Sequence, residues 1–213
     1  MNVRFIGDIH CDGNYKQRFT KNTICVGDLC LIGYDKWNFR NNKGKRYFID
    51  GNHEAFPLLN PNADEPYTLS ENLVYIPRGF RSNETLFIGG AGSIDVAYRI
   101  AGRDWFPEEE ITQRQISEIF ENHGDRVIDA VVAHDVSYEV LGMIVYKVWD
   151  EYASSNKALQ TIFDHFKPKV WVFGHHHKPI DIQYKGCRFI GLDIGEVKTI
   201  DLPIAEDFFE KNI

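Results

Sequence analysis

Short apolar runs rich in β-branched residues recur along this 213-residue chain, and the polar residues that follow them constrain the fold. Residues 3–7 lead into Asp8-Ile9-His10, residues 23–26 into Gly27-Asp28, and residues 47–49 into Gly51-Asn52-His53-Glu54. Residues 127–133 lead into His134-Asp135, and residues 169–173 into Gly174-His175-His176-His177. Such runs read as strands, and the last two are apolar enough to be covered on both faces. Five predicted strands therefore end in Asp, Asn or His. In open α/β sheets ligands collect beyond the carboxyl ends of strands, so residues far apart in sequence are expected to meet at one edge.

The rest of the chain fits the same architecture. Residues 73–76 and 85–88 read as further strands, and 180–184, 188–192 and 197–202 as a closing antiparallel meander. Helical periodicity appears over 108–122, with Ile111, Ile116, Ile119 and Phe120 on one side, and over 155–166, with Leu159, Ile162 and Phe163. Residues 55–71 hold Pro57, Pro61 and Pro66 and read as a long surface loop. Residues 89–107 form a second loop, with Gly89, Gly90 and Gly92 followed by Arg99, Arg103 and Trp105. Neither repeats nor a Ser/Gly-rich linker interrupt the pattern, so residues 1–213 are expected to form one layered α/β domain.

Composition narrows the function classes. No apolar run approaches the roughly 20 residues that span a bilayer, so no membrane association is expected. The net charge of −7 disfavours bulk, salt-driven binding to nucleic acid, though it permits a local basic site. The N-terminal residues read as a strand rather than a leader. Cys11, Cys25, Cys30 and Cys187 show neither a CxxC pair nor zinc-ribbon spacing. The expected compartment is the reducing cytoplasm, with four free thiols.

The residue types at the strand ends point to metal chemistry. Asp8, His10, Asp28, Asn52, His134, His175 and His177 supply carboxylate, imidazole and amide-carbonyl donors, a mixture suited to Mn, Fe, Zn or Ni. Seven donors are too many for one ion and about right for two, with an Asp able to bridge. Glycines ahead of the donors are expected to let the backbone turn tightly. If residues 174–177 are extended, His175 and His177 share a side and His176 points away. A lone Asp-x-His is usually a capped loop, and Gly-Asp a common turn. The order and spacing of the whole set carry the inference.

The blocks Asp8-x-His10, Gly27-Asp28, Gly51-Asn52-His53-Glu54, His134 and Gly174-His175-x-His177 resemble, in this order, those of the calcineurin-like metallophosphoesterases. The resemblance implies a four-layer α/β/β/α sandwich with two mixed β-sheets. It implies two divalent metal ions, Mn foremost and Fe, Zn or Ni as other candidates. Asp8, His10 and His177 would hold the first, Asn52, His134 and His175 the second, and Asp28 would bridge. His53 matches the general acid beside the leaving oxygen, with Glu54 holding its imidazole.

The implied reaction is hydrolysis of a phosphate ester by a hydroxide that the two metals activate. Departures bear on the substrate. The protein Ser/Thr phosphatase branch continues Gly-Asp as Gly-Asp-x-x-Asp-Arg-Gly, whereas Leu31 and Ile32 stand here in place of the Asp and Arg. A phosphodiester of nucleotide or nucleic-acid type is slightly favoured. A phosphomonoester or phosphoprotein substrate is the nearest alternative, and a non-catalytic metal-binding interaction module the alternative of another class. Oligomeric state is not assigned. Arg99 and Arg103 are candidate phosphate contacts, since guanidinium matches phosphate oxygens bidentately; Tyr98 and Trp105 could stack on a base but more often pack a loop. His123 and His165, near predicted helix C-termini, read as structural. Cys11 reads as a small buried filler, and the run Arg40, Lys43, Lys45, Arg46 as a solvated turn.

Overall fold

The structure, a computed structural model, describes residues 1–31 and 44–211. Its first sheet contains β1 (Asn2–Ile6), β2 (Thr23–Cys25), β3 (Arg46–Phe48), β4 (Tyr67–Ser70), β5 (Leu73–Tyr75) and β12 (Val197–Asp201), in the order β12-β1-β2-β3-β5-β4. The second contains β6 (Arg81–Ser82), β7 (Thr85–Ile88), β8 (Ala130–Ala133), β9 (Val170–Phe173), β10 (Ile180–Tyr184) and β11 (Cys187–Gly191), in the order β10-β11-β9-β8-β7-β6. Both sheets are mixed. β1, β2, β3 and β5 run parallel, as do β7, β8, β9 and β11, while β12, β4, β10 and β6 pair antiparallel at the margins.

Alternation along the strands builds the layers. Val3, Phe5, Ile24, Tyr47 and Val74 from the first sheet meet Phe87, Val132, Val172 and Ile190 from the second in one buried core. The intervening residues face outward. Val131, Trp171, Phe173 and Phe189 pack with Ile116, Ile119, Leu159 and Ile162, which lie on α2 (Gln113–His123) and α4 (Ser154–Phe166). Cys25, Phe48 and Tyr75 face the other way, toward Phe19, Leu29 and Leu31. Every central strand is thus covered twice, which is why its sequence is nearly all apolar. Among the described residues the outer cover of the first sheet is thin, consisting of α1 (Gly13–Lys16), a 3₁₀ turn at Phe56–Leu58 and irregular chain. No helix among the described residues is long and apolar enough to cross a membrane.

Several elements differ from expectation. The helix expected from residue 108 begins at Gln113, because Thr112 and Gln115 form a reciprocal capping box there. Pro107–Glu109 makes a 3₁₀ turn instead. The loop 55–71 contains β4, which pairs antiparallel with β5 through an irregular register. α3 (Tyr138–Ile144) and α5 (Phe208–Lys211) have no sequence counterpart above. The closing meander divides: β10 and β11 form a hairpin, while β12 crosses to β1 in the other sheet, with Asn2 opposite Asp201. Ile200, Leu202 and Ile204 thereby enter the core between the sheets. Within the basic run, Arg46 is not solvated: it is buried in β3 and donates to the carbonyls of Phe19 and Gly44. Arg40 and Lys43 lie outside the described residues, as do Ile32 and Gly33.

Candidate metal centre

The chain leaves β1 at Asp8, β2 at Asp28, β3 at Asn52, β8 at His134 and β9 at His175. Since β1-β2-β3 and β8-β9 are parallel neighbours, these residues gather at the carboxyl edges of the two sheets. The expected convergence is met. Donor atoms of Asp8, His10, Asp28 and His177 lie within 4.8 Å of one another, and so do those of Asp28, His134 and His175. Asp28 belongs to both groups. His177 Nε2 stands 3.1 Å from Asp8 Oδ2 and 2.9 Å from His10 Nε2. His134 Nε2 is 3.5 Å from Asp28 Oδ1 and 3.2 Å from Asn52 Oδ1.

The residues fit divalent cations. Asp8 is fully buried, yet among the described residues its Oδ1 has no hydrogen-bond partner, an expensive state for a carboxylate oxygen unless a cation faces it. The other Asp8 oxygen accepts from the His175 N–H at 3.0 Å. His134 Nδ1 is 2.7 Å from the Val26 carbonyl, which places the proton on that nitrogen and leaves Nε2 as a donor of electrons. Asn52 Nδ2 donates to Ser93 Oγ at 2.9 Å, which turns Oδ1 inward.

Charge at the site favours a cation as well. Burial opposes protonation of His134, but Asp28 and Asp8 outweigh it and raise the imidazole to about 10. Burial likewise opposes ionisation of Asp28, yet His134, His53 and His10 hold it well below the usual carboxylate range. The charge that draws a proton to His134 is available to a metal instead, so metal binding releases protons and weakens as pH falls.

The backbone is strained where the donors are. His10 (φ 47°), Asp28 (φ 46°), His175 (φ 63°) and His177 (φ 50°) all occupy the left-handed region, which costs of order 1 kcal/mol or more for a residue with a Cβ and concentrates at functional sites. Residues 174–177 are therefore not extended. His175 and His177 still reach the site, one toward each donor group, and His176 turns away to Asp135 Oδ1 at 2.8 Å. The glycines act mainly through space. A Cβ on Gly51 would stand 2.1 Å from Asp28 Oδ1, and one on Gly174 would stand 2.2 Å from Asp8 Oδ1. Only Gly27 among them also needs its positive φ, 114°.

Gly51→Ala is accordingly expected to displace Asp28 and cut metal affinity by roughly 10- to 100-fold, comparable to losing a residue that orients a ligand. Elemental analysis of the purified variant alongside its circular dichroism spectrum checks this. Full metal content in G51A would count against the close-approach explanation.

Two further expectations change. Among the described residues, buried Glu54 accepts from the backbone N–H groups of Leu29 at 2.7 Å and Leu31 at 3.0 Å. It holds the loop that carries Asp28, and the His53 ring has another partner. That partner is Arg99, whose Nη2 is 2.7 Å from His53 Nε2 and 2.7 Å from Asp95 Oδ1. Burial lowers the affinity of His53 for a proton, opposed by Asp28 and reinforced by Arg99 and His10. Arg99 Nη1 also reaches the Asn52 carbonyl at 3.2 Å. Arg103 is largely exposed and pairs with Asp104, away from the donors. Tyr98 is exposed, and the Trp105 indole donates to Glu109 at 3.1 Å. His123 and His165 hydrogen-bond to the carbonyls of Gly79 and Gly124, in structural roles as expected. Cys11 is half-buried and its Sγ donates to the Cys30 carbonyl at 2.5 Å.

Ser93 and Glu109 have no signal in the sequence beyond their chemistry, and Asp135, though it stands at the same strand end as His134, belongs to none of the matching blocks. Glu109 is a buried carboxylate that burial pushes up to about 7, against the opposing pull of Ser93, Arg99 and Trp105. Together Ser93 and Glu109 brace Asn52 and Arg99 from behind.

Comparison with known proteins agrees with this geometry. No curated protein matches the chain. Among solved structures, the phosphopantetheinyl hydrolase PptH from Mycobacterium tuberculosis superposes with a TM-score of 0.52 at 14% identity, over 91% of this chain and 90% of that one, a likeness of fold. The model of the calcineurin-like phosphoesterase family matches residues 1–179, which include every donor described above. This chain, with its donors at the ends of five strands, belongs to the calcineurin-like phosphoesterases.

Proposed function

We propose that the protein hydrolyses phosphate esters at a pair of divalent cations, Mn foremost and Fe, Zn or Ni as the other candidates. The observation that carries this reading is the sharing of Asp28 between two donor groups. Asp8, His10 and His177 complete one, and His134, His175 and Asn52 the other. When bound, two such cations supply positive charge to the phosphoryl oxygens and a water acidic enough to be deprotonated near neutral pH.

The chain's own residues would do the rest. Asp8 and Asp28 concentrate negative charge where the cations are needed. Arg99 offers a planar fork to phosphate oxygens. The His53 Nε2 now accepts from Arg99; once an incoming phosphate takes the guanidinium's N–H groups, that nitrogen is open to take up a proton from solvent, and the imidazolium so formed can give it to the leaving oxygen. Such proton donation contributes roughly 10²–10⁴-fold. Ser93 and Glu109 keep Asn52 and Arg99 in place during this exchange. We assign the phosphodiester class, of nucleotide or nucleic-acid type, ahead of phosphomonoesters. The side chain of Leu31, where the protein phosphatase branch has Asp, is buried in the core on the outer face of the first sheet and offers no polar group to a substrate. None of the four described cysteines is in a disulfide, which suits a reducing compartment, the cytoplasm.

Protein reloaded with Mn is expected to cleave bis-p-nitrophenyl phosphate, and p-nitrophenyl phosphate more slowly, with both activities lost in chelator. A higher rate on the monoester would reverse the class. Failure to cleave either, with two Mn bound per chain, would leave a metal-binding interaction module.

A further inference from the structure

Beside the metal donors lies a cleft of about 460 Å³, within the range of small-molecule sites. One side is polar and belongs to the centre already described: Asp28, Asn52, His53, Arg99 and His175. The other side is apolar, built from Leu141, Val145, Val148, Trp149 and Tyr152. The chain reaches this wall directly from the donor His134, through Ser137 into α3. Leu141 is buried in the core against the second sheet, and the partly buried Val145 and Val148 pack against that core, which holds the wall in place.

Trp149 is different. Its large ring is 48% exposed. Across the cleft Ile94 is 69% exposed. Among the described residues, two of the nine exposed large hydrophobic side chains, Ile94 and Trp149, line the cleft; Tyr98, Ile100, Met143 and Tyr146 lie on the same two segments without lining it. Isolated exposed apolar residues need no explanation, but an exposed indole that continues an apolar cleft wall does. Lys147 also lines the cleft, its Nζ 3.7 Å from the centre of the Trp149 ring. The ammonium covers one face of the ring, and both residues line the same cleft as Asn52, His53 and Arg99.

We propose that this wall binds the aromatic part of the substrate, and that the substrate is a phosphate ester of nucleotide type, its base against Trp149 and its phosphate at the metal donors. The proposal rests on the phosphoesterase reading for the placement of the phosphate. A purely aliphatic group would use the wall but not the exposed indole. A nucleotide uses the indole and the wall together, and Lys147 meets its further negative charge. Tyr98 and Trp105, the aromatics the sequence offers for this role, do not line the cleft.

The test is calorimetric titration of the Mn-loaded protein with two phosphonates whose C–P bonds resist hydrolysis, the 5′-phosphonate analogues of adenylate and of ribose 5-phosphate. They differ only in the base. The adenosine analogue is expected to bind tighter by roughly 5- to 100-fold, the range that base–aromatic stacking produces. Trp149→Ala should remove that preference and Trp149→Phe should retain much of it. Since Trp149 is half exposed, neither variant hollows the core, and their melting temperatures serve as the control. Equal affinities in the wild type, or a preference undiminished in W149A, would overturn the proposal. Should the protein hydrolyse no ester at all, the ratio of the two affinities still reads the wall, so the two readings fail separately.

Discussion

Asp28→Asn is expected to leave a folded protein that binds at most one metal ion and has lost roughly 10³-fold or more of its hydrolytic activity, since metal-held charge contributes several kcal/mol to such reactions. The reason is geometric. Asp28 Oδ1 is 3.5 Å from His134 Nε2 in one donor group, and Oδ2 is 3.7 Å from His10 Nε2 in the other. Among the described residues no other belongs to both. An amide keeps the size and one oxygen but removes the negative charge that both positions share. The backbone N–H of His53, which donates to Oδ1 at 2.8 Å, keeps an acceptor if the amide oxygen takes that place, so the Gly51–His53 turn is preserved. Metal content by elemental analysis, read beside turnover of an aryl phosphate ester, separates lost chemistry from lost fold. D28N retaining two equivalents of metal and near-normal turnover would sink the shared-ligand reading.

Much of this site was legible because its donors are tied to strand ends. Strand runs announce themselves by their apolar, β-branched residues, and the polar residue just beyond each run must lie at a sheet edge. Asp8, Asp28, Asn52, His134 and His175 follow from that rule alone. What the sequence hid depends on contacts between distant segments. The family resemblance implies that Glu54 holds the neighbouring His53 ring. The turn carries its carboxylate toward Leu29 and Leu31 instead. Arg99 and Arg103 look alike in sequence. Only the path of the 89–107 loop brings one to His53 and leaves the other in solvent. Trp149 gave no signal because an exposed Trp and a buried one are the same letter. The preceding glycines were recognised, but for a different reason. Local turn geometry can be guessed from neighbours, whereas the space that Gly51 leaves for Asp28 exists only after folding.

Arg78 governs the largest stability change expected outside the donors. Its Nε and Nη2 donate to Asp50 Oδ2 at 2.9 and 2.5 Å, while Tyr75 donates to the other Asp50 oxygen at 2.6 Å. The same guanidinium donates to the carbonyls of Glu108, Glu109 and Glu110. Both charged side chains are buried, at 1% and 0% exposure. Arg78→Met is expected to cost roughly 3–5 kcal/mol, because it strands a buried carboxylate rather than because the pair itself is strongly stabilising. The double change Asp50→Asn with Arg78→Met should then cost less than the single one, since no unpaired charge remains. Urea denaturation of the three proteins decides between these causes. A double variant that is less stable than R78M would place the cost in the three freed carbonyls instead. The position of the pair ties stability to the site in either case. Asp50 immediately precedes Gly51 and Asn52, and the segment that Arg78 clamps carries Glu109, which stands behind Ser93 and Arg99. Loosening the clamp should therefore weaken metal binding through Asn52 even under conditions where R78M remains folded.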